Sequence, residues 1–170
     1  HKARFYMNVK PANPDAAWHV KVKWSRPEPF EDVIKNGSRH DRDAWFYMIL
    51  GWEASSEWEV FYIGKVTEQF VSDRLSQPDH RDRCSRLRRK YPNHTLQVSL
   101  GAVTITNGRV TVQRIDEIET ILIYTACVSQ PKMINERKWL AHHVDQQYHV
   151  QNTGHRRPLP KDIHLGIFIG

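Results

Sequence analysis

Cysteine is scarce in this chain of 170 residues, which holds only Cys84 and Cys127. Two cysteines cannot build a disulfide framework, and neither stands in the Cys-x-x-Cys pairing that structural zinc sites use. A reduced, cytoplasmic setting in a bacterial or archaeal cell is the expectation. Long apolar runs are also lacking, and none approaches the ~20 residues of a membrane-spanning helix. No signal-peptide pattern stands at the start. The first residue is His1 and not Met, which reads as a truncated or altered start, so the first few residues take no functional weight. Internal repeats and low-complexity tracts are absent too. What remains is one domain with modest extensions. Its 39% hydrophobic and 26% charged residues have the balance of a globular protein. The excess is in positive charge, with 25 Lys and Arg against 19 Asp and Glu and ten histidines besides. A net charge of +6 favours a polyanionic partner, either nucleic acid or an anionic membrane surface. The basic run described below lacks a matching apolar face, which argues against the membrane.

Along the chain, Trp18, Val20, Val22 and Trp24 alternate with His19, Lys21 and Lys23, the period of a half-buried strand. Arg4 to Val9 is expected to pair with it across a Pro11–Asp15 turn. Phe30 to Lys35 reads as a short helix stopped at Asn36–Gly37. Ala44 to Leu50 and Val60 to Ile63 read as buried strands around a polar loop, the second broken by Gly64. Phe70 to Leu75 and Arg81 to Lys90 read as helices with Pro78 as an interruption, and Leu96 to Ile105 as a third strand. Asn107–Gly108 signals a hairpin, with Val110 to Gln113 pairing back. Ile115 to Cys127 has helical periodicity, with Asp116, Glu117 and Glu119 suited to a first turn. Asn135 to Tyr148 reads as helical, and the chain beyond Gln151 as an extended arm. The order strand, strand, helix, helix, strand, helix specifies an α/β (α+β) fold, a small, mainly antiparallel sheet flanked by helices. Residues 1–43 form an N-terminal β extension, 44–139 the core, and 140–170 a helix end and C-terminal arm.

Within the core, Trp45–Phe46–Tyr47–Met48–Ile49 is followed by Tyr62–Ile63–Gly64–Lys65. Arg74 and His80 come next, then Glu119 with Leu122 and Ile123 beyond it, then Pro131 and Asn135. This ordered set resembles the GIY-YIG nuclease superfamily from Ala44 to about Trp139. The first motif departs from the family pattern, keeping only its tyrosine. Arg81 and Arg83 are alternatives to Arg74 as the family arginine.

The resemblance implies a magnesium-dependent DNA endonuclease, with manganese as a substitute metal. Phosphodiester hydrolysis needs an activated water, a stabilised phosphorane and help for the departing 3′ oxygen. Tyr47 or Tyr62 is the general base, provided that cations such as Lys65 and Arg74 bring a phenol down from ~10. Arg74 grips a non-bridging oxygen in forked geometry. Glu119 is the metal ligand, with waters and substrate oxygens completing six positions. His80 is expected to contact the scissile phosphate, and Gly64 and Asn135 to support the site.

The run His80 to Lys90 carries Arg81, Arg83, Arg86, Arg88, Arg89 and Lys90. A solvated helix face is the ordinary meaning of such a run, but beside a phosphate-cutting site phosphate binding is the better reading, with Lys65 adding to it. The resemblance extends to type II restriction enzymes, which implies double-stranded DNA as partner and a homodimer for cutting both strands. The alternatives are a repair or mobile-element nuclease of the same family and a non-catalytic nucleic-acid-binding module that keeps the fold, and neither the target sequence nor the choice between the tyrosines is written in these residues.

Overall fold

In the computed structural model of the chain, residues 4–7, 14–54, 57–136, 144 and 146–168 are described. They form an α+β fold. Its strands are β1 (Arg4–Met7), β2 (Trp18–Trp24), β3 (Glu28–Pro29), β4 (Ala44–Trp52), β5 (Glu59–Lys65), β6 (Thr95–Ile105), β7 (Tyr148–Gly154) and β8 (Asp162–Phe168). Its helices are α1 (Phe30–Asn36), α2 (Val71–Ser76), α3 (Pro78–Lys90) and α4 (Val112–Ser129). The strands make one eight-stranded sheet in the order β1-β8-β7-β2-β6-β4-β5, with β3 paired to β6. Every pairing is antiparallel except β2 with β7.

Side-chain alternation sorts the strands into two cores. Phe46, Met48 and Leu50 of β4 and Val20, Val22 and Trp24 of β2 pack with Ile115, Ile118, Ile121 and Leu122 of α4. Tyr47 and Ile49 of β4 and Val98 and Leu100 of β6 face the other way, against Phe30 and Val33 of α1, Leu75 of α2, and Cys84 and Leu87 of α3. Each fully buried side chain of this size contributes about 1.5–3 kcal/mol. The β4–β5–β6 half is thus covered on both faces.

Several local readings change. β1 pairs with β8 and not with β2. The turn that was to join β1 and β2 includes residues 11–13, outside the described residues. Gly64 lies inside β5 and does not end it. Pro78 opens α3, where its missing N–H costs nothing. Asn107–Gly108 makes no hairpin. The Asn107 side chain accepts from the His19 N–H (2.9 Å) and donates to the Ala17 carbonyl (2.8 Å). Thr111 then caps α4, accepting from the Arg114 N–H (3.2 Å). No acidic residue lies in the first turn of α4. The C-terminal arm is strand, since β7 and β8 lie within the sheet. The expected 135–148 helix falls mostly on residues 137–143 and 145, outside the described residues, while Asn135 is not helical and Tyr148 begins β7.

Candidate active site

The register of β4 on β5 sets Tyr47 opposite Gly64 and Phe46 opposite Lys65. A side chain at position 64 is impossible as the chain stands, because a Cβ there would lie 2.4 Å from the Tyr47 hydroxyl and ring. Gly64 is therefore needed for close approach. A register shift between Ile49 and Leu50 accompanies the placing of Tyr62 opposite Ile49 and Val60 opposite Leu50. Tyr62, in the same register as the Tyr47–Gly64 pair, shares the face of Tyr47, their ring centres 6.0 Å apart. His80 of α3 stands edge-on to both, at 5.8 Å from Tyr47 and 5.7 Å from Tyr62.

His80 is fully buried, between Tyr47 and Arg83. Its Nδ1 lies 2.8 Å from Arg83 Nη1, and its Nε2 lies 3.2 Å from the Tyr47 hydroxyl. A guanidinium only donates, so Nδ1 must accept. The ring proton is then on Nε2, and it is donated to the Tyr47 oxygen. Burial, helped by Arg74 and Arg83 and opposed by Asp79, brings His80 down to about 4, so the ring is neutral at neutral pH. Arg83 also lies 4.3 Å over the Tyr62 ring. Its charge pulls the Tyr47 phenol downward.

Burial holds the Tyr47 phenol well above its ordinary value. Tyr62 and Glu119 add to the rise, and Arg74 and Arg83 pull against it without prevailing. For Tyr47, the expectation of a phenol brought down by cations is thus reversed, because desolvation outweighs them.

On the opposite face of β5, Lys65 pairs with Asp116 and lies 3.9 Å from Glu119. The two carboxylates are three residues apart on α4, hence on one side of it. Glu119 is nearly buried, at 7% exposure. Its neighbour Glu117 is also buried but is engaged by Gln113 and by the Tyr148 hydroxyl, which donates to it. A lysine ammonium resting between Asp116 and Glu119 marks that spot as a seat for positive charge. It fits a small divalent cation held by one or two carboxylates with water and substrate oxygens. Among the described residues no group of three or more His, Cys, Asp or Glu is placed to hold a metal ion.

Asn135 grips the edge strand. Its Oδ1 accepts from the Ile63 N–H (3.0 Å), and its Nδ2 donates to the Ile63 carbonyl (2.8 Å). The Ile134 N–H donates to the Phe61 carbonyl (2.8 Å). Residues 134–135 thus satisfy backbone groups of Phe61 and Ile63 on the outer side of β5, beside Tyr62 and Gly64. Arg74, at the end of α2, is held by Gln77 and by Asp79 (3.3 Å). α2 is itself held by buried Asp41, which accepts from the Val71 N–H (3.0 Å) and the Ser72 hydroxyl (2.8 Å).

Tyr47, Tyr62, Gly64, Lys65, Arg74, His80, Glu119 and Asn135 therefore gather at one edge of the sheet. The His80 ring is fully buried and engaged by Tyr47 and Arg83. Arg83 is turned inward, away from the surface run to which it was assigned. Its spacing of three from His80 on one helix was the available signal. Asp116 and Asp41 were missed as well, the first three residues before Glu119, the second with no local signal. Arg81, Arg86, Arg89 and Lys90 are exposed on α3. Arg88, also exposed, is paired with Glu31 and sits 5.7 Å over the Phe30 ring.

No family model, no curated protein and no solved structure matches the chain.

Proposed function

We propose that the chain is a magnesium-dependent DNA endonuclease of GIY-YIG-like construction, acting as a restriction-type enzyme. The observation that carries this reading is the composition of one sheet edge: two tyrosines, two arginines and a histidine on one face of β5, and a glutamate with a lysine on the other. These are the groups needed to activate water, hold a phosphate and neutralise a leaving oxygen.

Tyr62 is the general base. It is half-buried and reachable, whereas Tyr47 is 1% exposed with its hydroxyl over Gly64 and bonded to His80. Tyr62 acts as its phenolate, which takes the water's proton and becomes the neutral phenol while the hydroxide oxygen goes to phosphorus, and the Arg83 guanidinium lies over that ring. His80 and Tyr47 hold Arg83 and the strand in that arrangement. Arg74 exchanges its exposed partner Asp79 for a non-bridging phosphate oxygen, a forked and charge-assisted contact. Glu119, with Asp116 beside it, would hold magnesium, and bound there the metal supplies positive charge at the departing 3′ oxygen. Lys65 then leaves the carboxylates and is free to meet phosphate. The exposed arginines of α3 bind the DNA backbone.

The test is incubation with unmethylated supercoiled plasmid. Conversion to nicked or linear DNA is expected with magnesium or manganese and is expected to stop with chelator. Intact plasmid under every metal condition would refute the reading. Discrete fragments would assign restriction-type cutting, and with it a twofold pair of subunits on the site. Single nicks confined to damaged or branched DNA would assign the same chemistry to repair.

A further inference from the structure

A second site lies at the opposite end of α4. A cleft of about 600 Å³, well within the ~300–1,000 Å³ range of ligand sites, is lined by Trp58, Val128, Leu159, Arg156 and Arg157. Trp58 also walls an adjoining hollow of about 340 Å³ that shares both arginines. The Trp52 ring, 40% exposed, lies 6.2 Å from that of Trp58. Arg157 is exposed, and Arg156 is fixed by a bond to the Leu159 carbonyl. The lining holds two arginines and a single carboxylate, Glu57. None of these residues belongs to the cutting site.

Aromatic faces beside clustered guanidinium groups suit one ligand chemistry. An apolar ligand leaves both arginines uncompensated, and a bare phosphate leaves the Trp58, Val128 and Leu159 wall uncovered. A nucleotide uses both, with its base stacked and its phosphate charge-paired. We infer that this cleft takes one unstacked nucleotide of a nucleic-acid strand, base on Trp58 and phosphate on Arg156 and Arg157. The inference deepens the nuclease reading and rests on it for the origin of the strand. α4 sets the spacing, since Thr125 and Ser129 at the cleft lie six to ten residues beyond Glu119. At ~1.5 Å per residue that is about 9–15 Å, or roughly three to four nucleotides at ~3.4 Å each. The cleft grips the strand that far from the cut.

The experiment is fluorescence anisotropy with labelled tetrathymidylate, divalent ions chelated. Trp58→Ala is expected to weaken binding about 5- to 100-fold, the scale of one lost base stack. Trp58→Phe, which keeps an aromatic face, is expected to stay within about tenfold of wild type. Arg156→Ala with Arg157→Ala should weaken binding and flatten its salt dependence. Lys21→Ala with Lys23→Ala on the exposed face of β2 should leave tetranucleotide affinity within about twofold, since these lie outside the cleft. Matching thermal melts of Trp58→Phe and wild type keep the comparison sound if Trp58→Ala fails to fold. Wild-type affinity in Trp58→Ala would overturn the inference. So would capture of a proline-rich peptide by wild type, lost in Trp58→Ala, with no oligonucleotide binding. Uncut plasmid with Trp58-dependent oligonucleotide binding would sink the nuclease reading alone, and active cutting with Trp58-independent binding would sink this inference alone.

Discussion

The two halves of the sheet are built differently. Around β4, β5 and β6, α4 covers one face and α1, α2 and α3 the other, and Tyr47 and Met48 on the same strand are both fully enclosed. Around β2, β7 and β8, among the described residues, only the α4 side carries the core, and Lys21, Lys23, His149 and His164 on the other side are exposed or half-exposed. Burial on both faces is what gives the first half its chemistry. It removes water from His80 and Tyr47, so their protonation answers to neighbours and desolvation. It also fixes Arg83 between them. The second half is a platform that closes the α4 core and brings Arg156 and Arg157 to the far end of that helix.

This contrast is tested most strongly on the doubly covered half. Glu119→Gln is expected to slow cutting at least about 10³-fold while DNA binding in calcium persists, because a leaving-oxygen contact worth several kcal/mol is removed. Wild-type cutting by that variant in magnesium would remove Glu119 as the metal ligand. Tyr62→Phe should cost about 10²-fold or more in single-turnover rate, and Tyr47→Phe less, since the latter keeps its ring over Gly64. A larger loss at Tyr47 would exchange the two roles.

Acid stability is a third discriminator. His80 sits at about 4 in the folded protein, against an ordinary value near ~6.5. Its folded value is depressed, so the unfolded chain takes up the proton first. Stability is then full above pH ~6.5 and falls as pH drops toward about 4, by at most about 3 kcal/mol. Urea titrations between pH 7 and 4 should show that fall, and His80→Gln should lessen it. An unchanged pH slope in the variant would place the acid sensitivity elsewhere.

What the sequence made legible follows from range. β4, β5, α2, α3 and β6 are consecutive, and β4 pairs with both β5 and β6, so alternation and turn residues located them. β7 and β8 pair with each other, but the Gly154, Pro158 and Pro160 between them read as an extended arm, and their other partners are remote. Tyr148 pairs with Trp18, and Arg4 with Phe168, contacts that no local pattern records. Asn107–Gly108 misled for a related reason, since its side chain is spent on β2 and Thr111 starts a helix where a returning strand was expected. For the candidate site, residue types and order put forward Tyr47, Tyr62, Arg74 and Glu119. The inward turn of Arg83 and the burial of His80 depend on how α3 is rolled against β4, which is a packing outcome.

Smaller effects belong to surfaces. On duplex DNA in calcium, Arg86→Ala with Arg89→Ala should flatten the log–log salt dependence of affinity by up to about two units, cognate and random sequences alike. Arg88→Ala should flatten it less, since Arg88 is engaged with Glu31 and Phe30. Equal slopes in all three proteins would make the α3 run a solvated face. On the uncovered half, Lys21→Ala with Lys23→Ala should change stability by no more than about 0.5 kcal/mol and leave the cutting rate unchanged. A large rate loss there would mean that the exposed sheet face takes part in the reaction.

The most direct test of the account is the chemistry of the ends left on DNA. Water activated at Tyr62, with the 3′ oxygen departing beside Glu119, requires a 5′-phosphate and a 3′-hydroxyl at each break. Plasmid cut with magnesium should therefore religate with ligase without prior phosphatase or kinase treatment, and sequencing should place those ends at the same positions in independent digests. Breaks bearing 3′-phosphate, or DNA left intact, would contradict it.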